Sequence, residues 1–183
     1  MLRNTVTHYG TIARLLHWGM AGLIILSIVA VELHEFFPKG SDPRAALMSV
    51  HFQVGVVVLL LIWVRIIAIF SDKVPPITPT PPLWQHIAAK LMHLALYLTM
   101  IALPILGIVM QQAGDKTVAL LGVQLPVLVG VDKDFSKALR EVHETLGNLM
   151  IVMVVAHVAA AVWHHRVQKD NTLLRMMPPR ANP

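Results

Sequence analysis

The sequence predicts an all-α membrane protein, a four-helix transmembrane bundle, on three observations. The 183 residues are 56% hydrophobic and only 14% charged, whereas a soluble domain carries about 25% charged residues. The mean hydropathy is +0.65. The apolar residues form four blocks, over 13–31, 45–70, 87–110 and 139–163. Each block is long enough to cross a hydrocarbon core about 30 Å thick, which takes about 20 helical residues. We therefore expect one integral membrane domain covering 1–183.

Two of the connections between these blocks have a distinctive composition. Five of the eight residues in 75–82 are proline, so the segment 74–82 is predicted to be a stiff, extended connector rather than a helix. The loop 111–138 is long and contains an apolar stretch over 118–131. We expect that stretch to lie on the bundle or at the membrane interface.

Composition and charge narrow the possible functions. The absence of cysteine excludes iron–sulfur clusters, thiolate-bound zinc, disulfides and thioether-attached haem. The net charge is +5, but the basic residues form no patch clear of the apolar blocks. We therefore expect membrane lipid, and no nucleic acid, as a partner. Nine of the fifteen basic residues fall on the side of the N-terminus. By the positive-inside rule this predicts that both termini are cytoplasmic.

Histidines within the spans suggest the chemistry, because an ionisable side chain inside a membrane is costly unless it is paired or ligated. His17 and His157 share one depth, and His51 and His143 share the other. His143 and His157 are 14 residues apart on one helix, which is about 21 Å and nearly four turns, so both face the same way. Two haems, each with two axial histidines and stacked across the bundle, require this arrangement.

Small residues accompany all four histidines. They are Gly19, Ala21 and Gly22 after His17, Gly55 after His51, Gly147 after His143, and Ala156, Ala159, Ala160 and Ala161 around His157. A flat macrocycle needs such clearance between helices, although small residues also serve close helix packing. A bare zinc or copper ion would favour acidic or thiol partners at mid-membrane. Because no span has a carboxylate near its centre, haem iron is the preferred metal.

Three motifs surround these histidines and carry a family resemblance. They are RLLHW at 14–18, HETLGN at 143–148 and KDNTLLRMMP at 169–178. Together with His51 and His157, these motifs resemble the bacterial cytochrome b561 family of small four-helix, di-haem membrane proteins. The resemblance extends over nearly the whole chain.

The resemblance implies two haem b groups, ligated by His17 with His157 and by His51 with His143. It implies a cytochrome of the bacterial inner membrane that carries electrons between an outer-side donor, a small molecule or a protein, and quinone, with ubiquinone as the expected partner. Oxidation of superoxide coupled to quinone reduction is one activity associated with such proteins. Whether the chain acts as such an oxidoreductase stays open at this point.

Three further residues are candidates for cofactor binding. Arg65 lies 14 residues after His51, near the same face, and could form a charge-assisted contact with a haem propionate or anchor the helix at the headgroups. Arg14 has the same two interpretations. His164 follows His157 by one heptad and could donate a hydrogen bond to quinone, or it could lie solvated among the headgroups.

Two other functions remain as alternatives. The chain could be a haem-bearing anchor subunit that relays electrons from a peripheral dehydrogenase or hydrogenase to quinone. It could also be a transporter without haem, against which four unpaired histidines inside the membrane argue. The sequence specifies no oligomeric state.

Overall fold

The four predicted spans are four long helices in the computed structural model, which describes residues 2–178. They are α1 (Thr11–Leu33), α2 (Asp42–Phe70), α3 (Leu83–Ala113) and α4 (Lys133–Trp163). All four are long and apolar enough to cross a membrane. Each helix extends beyond the apolar block that predicted it, because a helix is held by its own backbone hydrogen bonds and continues into polar flanks.

Short elements flank the long helices. A 3₁₀ turn (His34–Phe36) follows α1, a π-helical turn (His164–Gln168) extends α4, and another 3₁₀ turn (Leu174–Met176) lies in the tail. The predicted loop 111–138 contains a hairpin of two short strands, β1 (Ala119–Leu120) and β2 (Val123–Gln124). The loop is shorter than expected because α4 begins at Lys133, where the Asp132 carboxylate accepts hydrogen bonds from two backbone N–H groups of the first turn.

The helix α4 packs closely against α3 but stands away from α1 and α2. Among the described residues, the helix pairs in close backbone contact are α1 with α2, α2 with α3, and α3 with α4. The helix α4 does not pack its backbone closely against α1 or α2. The gaps between these helices are bridged by side chains instead.

The hydrophobic core is a thin layer at the middle of the bundle. It consists of two clusters of buried side chains: Met20, Val54, Val58 and Ile62, and Leu96, Met150 and Met153. Most other large apolar side chains are exposed on the outside of the helices, as expected for a surface that faces lipid. Along the sequence the core residues of α1, α2 and α4 fall between the two histidine depths, so the core separates the two levels.

One end of the bundle, here called the terminal end, is closed by residues 2–10, 71–82 and 169–178. The backbone N–H of Tyr9 donates to the carbonyl of Arg175 over 3.0 Å, and Thr78 N–H donates to the side chain of Asn171 over 2.8 Å. The buried guanidinium of Arg175 donates to the Pro75 carbonyl. The proline-rich connector is therefore tied to both the N-terminal segment and the tail.

The opposite end, here called the hairpin end, is held by two glutamine side chains. The Gln53 amide donates to the Ala119 carbonyl over 2.7 Å and accepts from the Leu121 N–H over 2.8 Å. Gln112 binds the loop backbone at Pro126 and Leu128 in the same way, over 2.8 and 2.9 Å. Each glutamine side chain hydrogen-bonds one N–H and one carbonyl of the loop backbone, as a neighbouring strand would, so the loop is fixed over the bundle.

The substitution Gln53→Ala is expected to release the hairpin. It removes two hydrogen bonds to β1 and the turn, each worth about 1 kcal/mol, while the buried face of α2 is unchanged. Limited proteolysis in detergent should cut the loop 114–132 several-fold faster than in the wild type. Gln124→Ala, at an exposed position of β2, is the matched control. Equal cleavage rates in the two variants would show that Gln53 does not hold the hairpin in place.

Candidate functional site

Both predicted histidine pairs meet in space. The ring centres of His17 on α1 and His157 on α4 are 6.3 Å apart, and those of His51 on α2 and His143 on α4 are 6.2 Å apart. The two rings of each pair are steeply inclined, by 66° and 80°. The pairs span the two gaps in which α4 stands away from α1 and α2.

The spacing within each pair fits two axial ligands of one metal ion. With metal–nitrogen bonds of about 2.0–2.1 Å and each nitrogen about 1.2 Å from its ring centre, two imidazoles on opposite sides of a metal have centres about 6.4 Å apart. Both observed distances agree with that value. Within residues 2–178, no three histidine, aspartate or glutamate side chains are grouped to hold a metal ion. A pair of histidines suits an iron whose other four ligands belong to a porphyrin.

The space beside the His51–His143 pair is large enough for such a group. A cavity of about 760 Å³ reaches all four helices and is lined by both histidines, Gly55, Gly107 and Gly147. A Cβ atom added at Gly55 or Gly147 would meet nothing within 4 Å, and one at Gly107 would lie 3.5 Å from the His143 ring. The missing side chains therefore leave room for a flat ring. Gly19 and Gly22, near His17, are equally open.

The hydrogen bonds of His51 orient it toward its partner. Its Nδ1 atom lies 3.1 Å from the carbonyl oxygen of Ser27 and 2.9 Å from the Ser27 hydroxyl. Because the carbonyl can only accept, Nδ1 carries the hydrogen and Nε2 keeps its lone pair for a metal. Ser27 was not among the predicted residues. The only sequence signal is a lone hydroxyl in an apolar span, 24 residues before the histidine that it contacts.

Arg65 contacts the other pair directly. Its Nη2 atom lies 3.0 Å from Nδ1 of His17, and its Nε donates to the Tyr97 hydroxyl over 2.7 Å. Its Nη1 atom is buried without a hydrogen-bond partner among the described residues. Arg65 therefore lies beside the His17–His157 pair with one nitrogen left to bind a carboxylate, and its contact with a haem propionate stays a prediction.

His93 lies beside this pair without belonging to it. The centre of its ring is 5.5 Å from that of His157, which is too short for two ligands on opposite sides of one metal. The ring edge packs against His157 instead. His93 is thus placed to restrict the orientation of that ring.

His164 has a specific partner that the sequence did not reveal. Its Nδ1 lies 2.5 Å from the carboxylate of Asp170, which is 5% exposed. Asp170 also accepts from the Thr172 N–H over 2.8 Å. Burial alone raises the pKa of Asp170, but the hydrogen bonds from His164 and Thr172 hold that pKa below its usual value. The contact forms because the chain reverses at Lys169, whose φ is +54°, and this reversal is hard to predict for a residue other than glycine.

Arg14 contacts the tail rather than either histidine pair. It donates to the Met177 carbonyl over 3.1 Å and to the Thr11 hydroxyl over 3.2 Å. The adjacent Trp18 indole donates to the Met176 carbonyl over 2.9 Å. These bonds hold the tail against α1, and the contact of Arg14 with a cofactor stays a prediction.

The fold defines a class of protein, a four-helix membrane protein with two histidine pairs between its helices. The sequence model of the family described as prokaryotic cytochrome b561 matches residues 8–179. Cytochrome b561 homolog 1 of Escherichia coli K12 is 39% identical over 165 residues, which cover 90% of this chain and 94% of the relative. The chain belongs to the prokaryotic cytochrome b561 family.

Two further relatives are similar over nearly their whole length. A protein of Yersinia pestis named probable superoxide oxidase CybB is 34% identical over 89% of this chain and 92% of its own. Cytochrome b562 of Cereibacter sphaeroides is 30% identical over 90% of this chain and 92% of its own. The family binds b-type haem. The chain is therefore a multi-pass bacterial membrane cytochrome of the b type that functions in electron transfer.

Docking of the tail is expected to weaken in acid. The folded pKa of Asp170 lies below the ordinary value of 3.8, so its contribution is present above that value and is lost as the pH falls through the folded pKa. The groups facing it are His164, Thr172 and Arg175. Proteolysis of the tail should therefore accelerate below about pH 4.

The substitution Asp170→Asn should make this cleavage fast already at pH 6 and remove its dependence on acid. Asp115→Asn, at an exposed carboxylate of the hairpin end, is the control and should behave like the wild type. If Asp170→Asn is cut at pH 6 no faster than the wild type and the Asp115→Asn control, the assignment of the ion pair is refuted.

Proposed function

We propose that the chain holds two haem b groups and carries electrons across the membrane, from a donor at the hairpin end to quinone at the terminal end. His17 and His157 hold one haem, and His51 and His143 hold the other. The observation that supports this most strongly is the spacing of both pairs at 6.3 and 6.2 Å, in the gaps where α4 stands away from its neighbours. Each haem, when bound, accepts and gives up one electron at its iron.

The surrounding side chains hold and orient these ligands. The Ser27 carbonyl fixes the hydrogen of His51 on Nδ1, so that Nε2 is the ligating atom. Arg65, with an unpartnered Nη1, is placed to pair with a propionate at the terminal end. The packed layer around Ile62 and Met150 excludes water from the region between the two levels. Electrons can therefore pass between the two histidine levels through a packed layer that excludes water.

The terminal end is proposed to be cytoplasmic, with the quinone site beside His164. Asp170 accepts the Nδ1–H of His164 over 2.5 Å and so fixes the orientation of the ring. The Nε2 side of the ring is proposed to face the quinone. Reduction of one quinone to quinol takes two electrons and two protons, and the protons enter from the cytoplasmic side through His164.

Superoxide is the proposed donor at the hairpin end, on the strength of the Yersinia pestis relative's name. Two superoxide ions release two electrons and leave two molecules of dioxygen, which balances the reduction of one quinone by two protons and two electrons. The lining of the large cavity includes Lys116 as well as Glu32, Glu35 and Glu144. Lys116 is the cation placed to receive an anion there.

Removing one histidine should remove one haem and leave the other. His143→Ala is expected to reduce the pyridine haemochrome count from two haem b per chain to one, because the haem at that level would keep only His51 as a ligand. His17→Ala should have the same effect at the other level. His86→Ala, at an exposed position, is the control and should keep two haems. Unchanged counts in the two site variants would refute the ligand pairs.

The quinone site is tested by kinetics on protein that retains both haems. Asp170→Asn should leave the haem spectrum intact and slow quinone reduction about tenfold. Loss of a positioned proton donor costs about 10²–10⁴ in rate, and this variant costs less because it misorients His164 without removing it. His165→Ala, at the neighbouring residue, is the control. If both variants reduce quinone at the wild-type rate, the site lies elsewhere.

A further inference from the structure

The two histidine pairs are alike in geometry but differ in the charge beside them. We propose that Arg65 raises the reduction potential of the haem at the His17–His157 pair above that at the His51–His143 pair, and so sets the direction of electron flow toward the terminal end. The inference rests on the proposed function, since it concerns two haems held by these pairs.

The hairpin-end pair lies in surroundings that favour oxidised iron. The hydrogen bond from Nδ1 of His51 to the Ser27 carbonyl increases the basicity of the ligand. Three carboxylates, Glu32, Glu35 and Glu144, line the same cavity together with Lys116. Arg44 pairs with Glu35 over 3.1 Å, and Arg140 lies 4.0 Å from Glu144. These three cations balance the three carboxylates, so no net positive charge at this level favours the reduced iron.

The terminal-end pair lies beside a cation that no carboxylate balances among residues 2–178. The Arg65 guanidinium is 3.0 Å from the imidazole of His17. No carboxylate forms an ion pair with Arg65 among residues 2–178. A cation in this low-dielectric region disfavours the more positive state of a neighbouring iron. Reduction is therefore easier at this level than at the hairpin end.

The hydrogen on His17 determines the sign of the effect. A guanidinium only donates, so Nδ1 of His17 accepts in the present geometry, and the ring hydrogen lies on Nε2. Ligation through Nε2 requires the hydrogen to move to Nδ1, which then no longer accepts from Arg65. The guanidinium can turn its unpartnered Nη1 toward a propionate and remain beside the ring. Deprotonating the imidazole instead would lower the potential.

Tyr97 acts as a positioning residue in this arrangement. Its hydroxyl accepts from Arg65 Nε over 2.7 Å, and the guanidinium carbon lies 5.9 Å from the centre of its ring. These contacts, from α3, keep the charge of Arg65 beside His17 when its other N–H groups change partners.

Redox titration of the haem α-band tests the proposal without any measurement of turnover. The wild type should titrate in two waves. Arg65→Gln should lower the higher wave by at least tenfold in the oxidised-to-reduced ratio, or about 59 mV for one electron. Tyr97→Phe should lower the potential of the same wave by a smaller amount. Arg65→Lys keeps the positive charge and should leave that potential close to the wild-type value. Arg166→Gln, which removes an exposed charge from the same end, should leave both waves in place.

The background His143→Ala, with only the terminal-end haem, identifies the wave that Arg65→Gln moves. Two intact waves that Arg65→Gln leaves unchanged, or a rise in potential, would overturn the role of Arg65 while leaving the haem pairs in place. If neither wild type nor variants bind two haems, the proposed function itself fails, and the spectrum distinguishes that case before any titration.

Discussion

The structure depends on one constraint: two histidines from different helices must meet at a fixed distance, twice, on one face of α4. Close packing of α4 against α1 and α2 would destroy that spacing. The small residues beside the histidines, Gly55 and Gly147 among them, face open space, and the core is confined to a thin layer between the two levels. The bundle therefore packs loosely where the histidines meet and closely between α1 and α2, α2 and α3, and α3 and α4.

Because the core is thin, contacts at the two ends of the bundle do much to hold its segments in place. At the hairpin end, Gln53 and Gln112 act as substitutes for backbone partners and fix the loop above a cavity. At the terminal end, buried Arg175 joins three segments that are far apart in the sequence, because its carbonyl accepts from Tyr9 and its guanidinium donates to Pro75. The hairpin end keeps a cavity of about 760 Å³, whereas the terminal end is covered by its own chain.

Much of the fold, and the pairing of the histidines, could be predicted from the sequence. Four apolar blocks predict four helices because their lengths match the bilayer, and depth along antiparallel spans places His17 beside His157 and His51 beside His143. The contacts of Ser27, Arg65 and Asp170 could not be predicted, because each depends on the rotation of a helix or on a chain reversal. The helix ends were also missed, since caps such as Asp132 act beyond the apolar residues.

The central claim is that one chain holds two haems, each between two histidines. The most direct measurement is the pyridine haemochrome count of the purified wild-type protein, together with its dithionite-reduced spectrum. The account predicts two b-type haems per chain and a sharp low-spin α-band, because every iron has two imidazole ligands. A protein that binds a single haem, or stays colourless after reconstitution with haem, would contradict it.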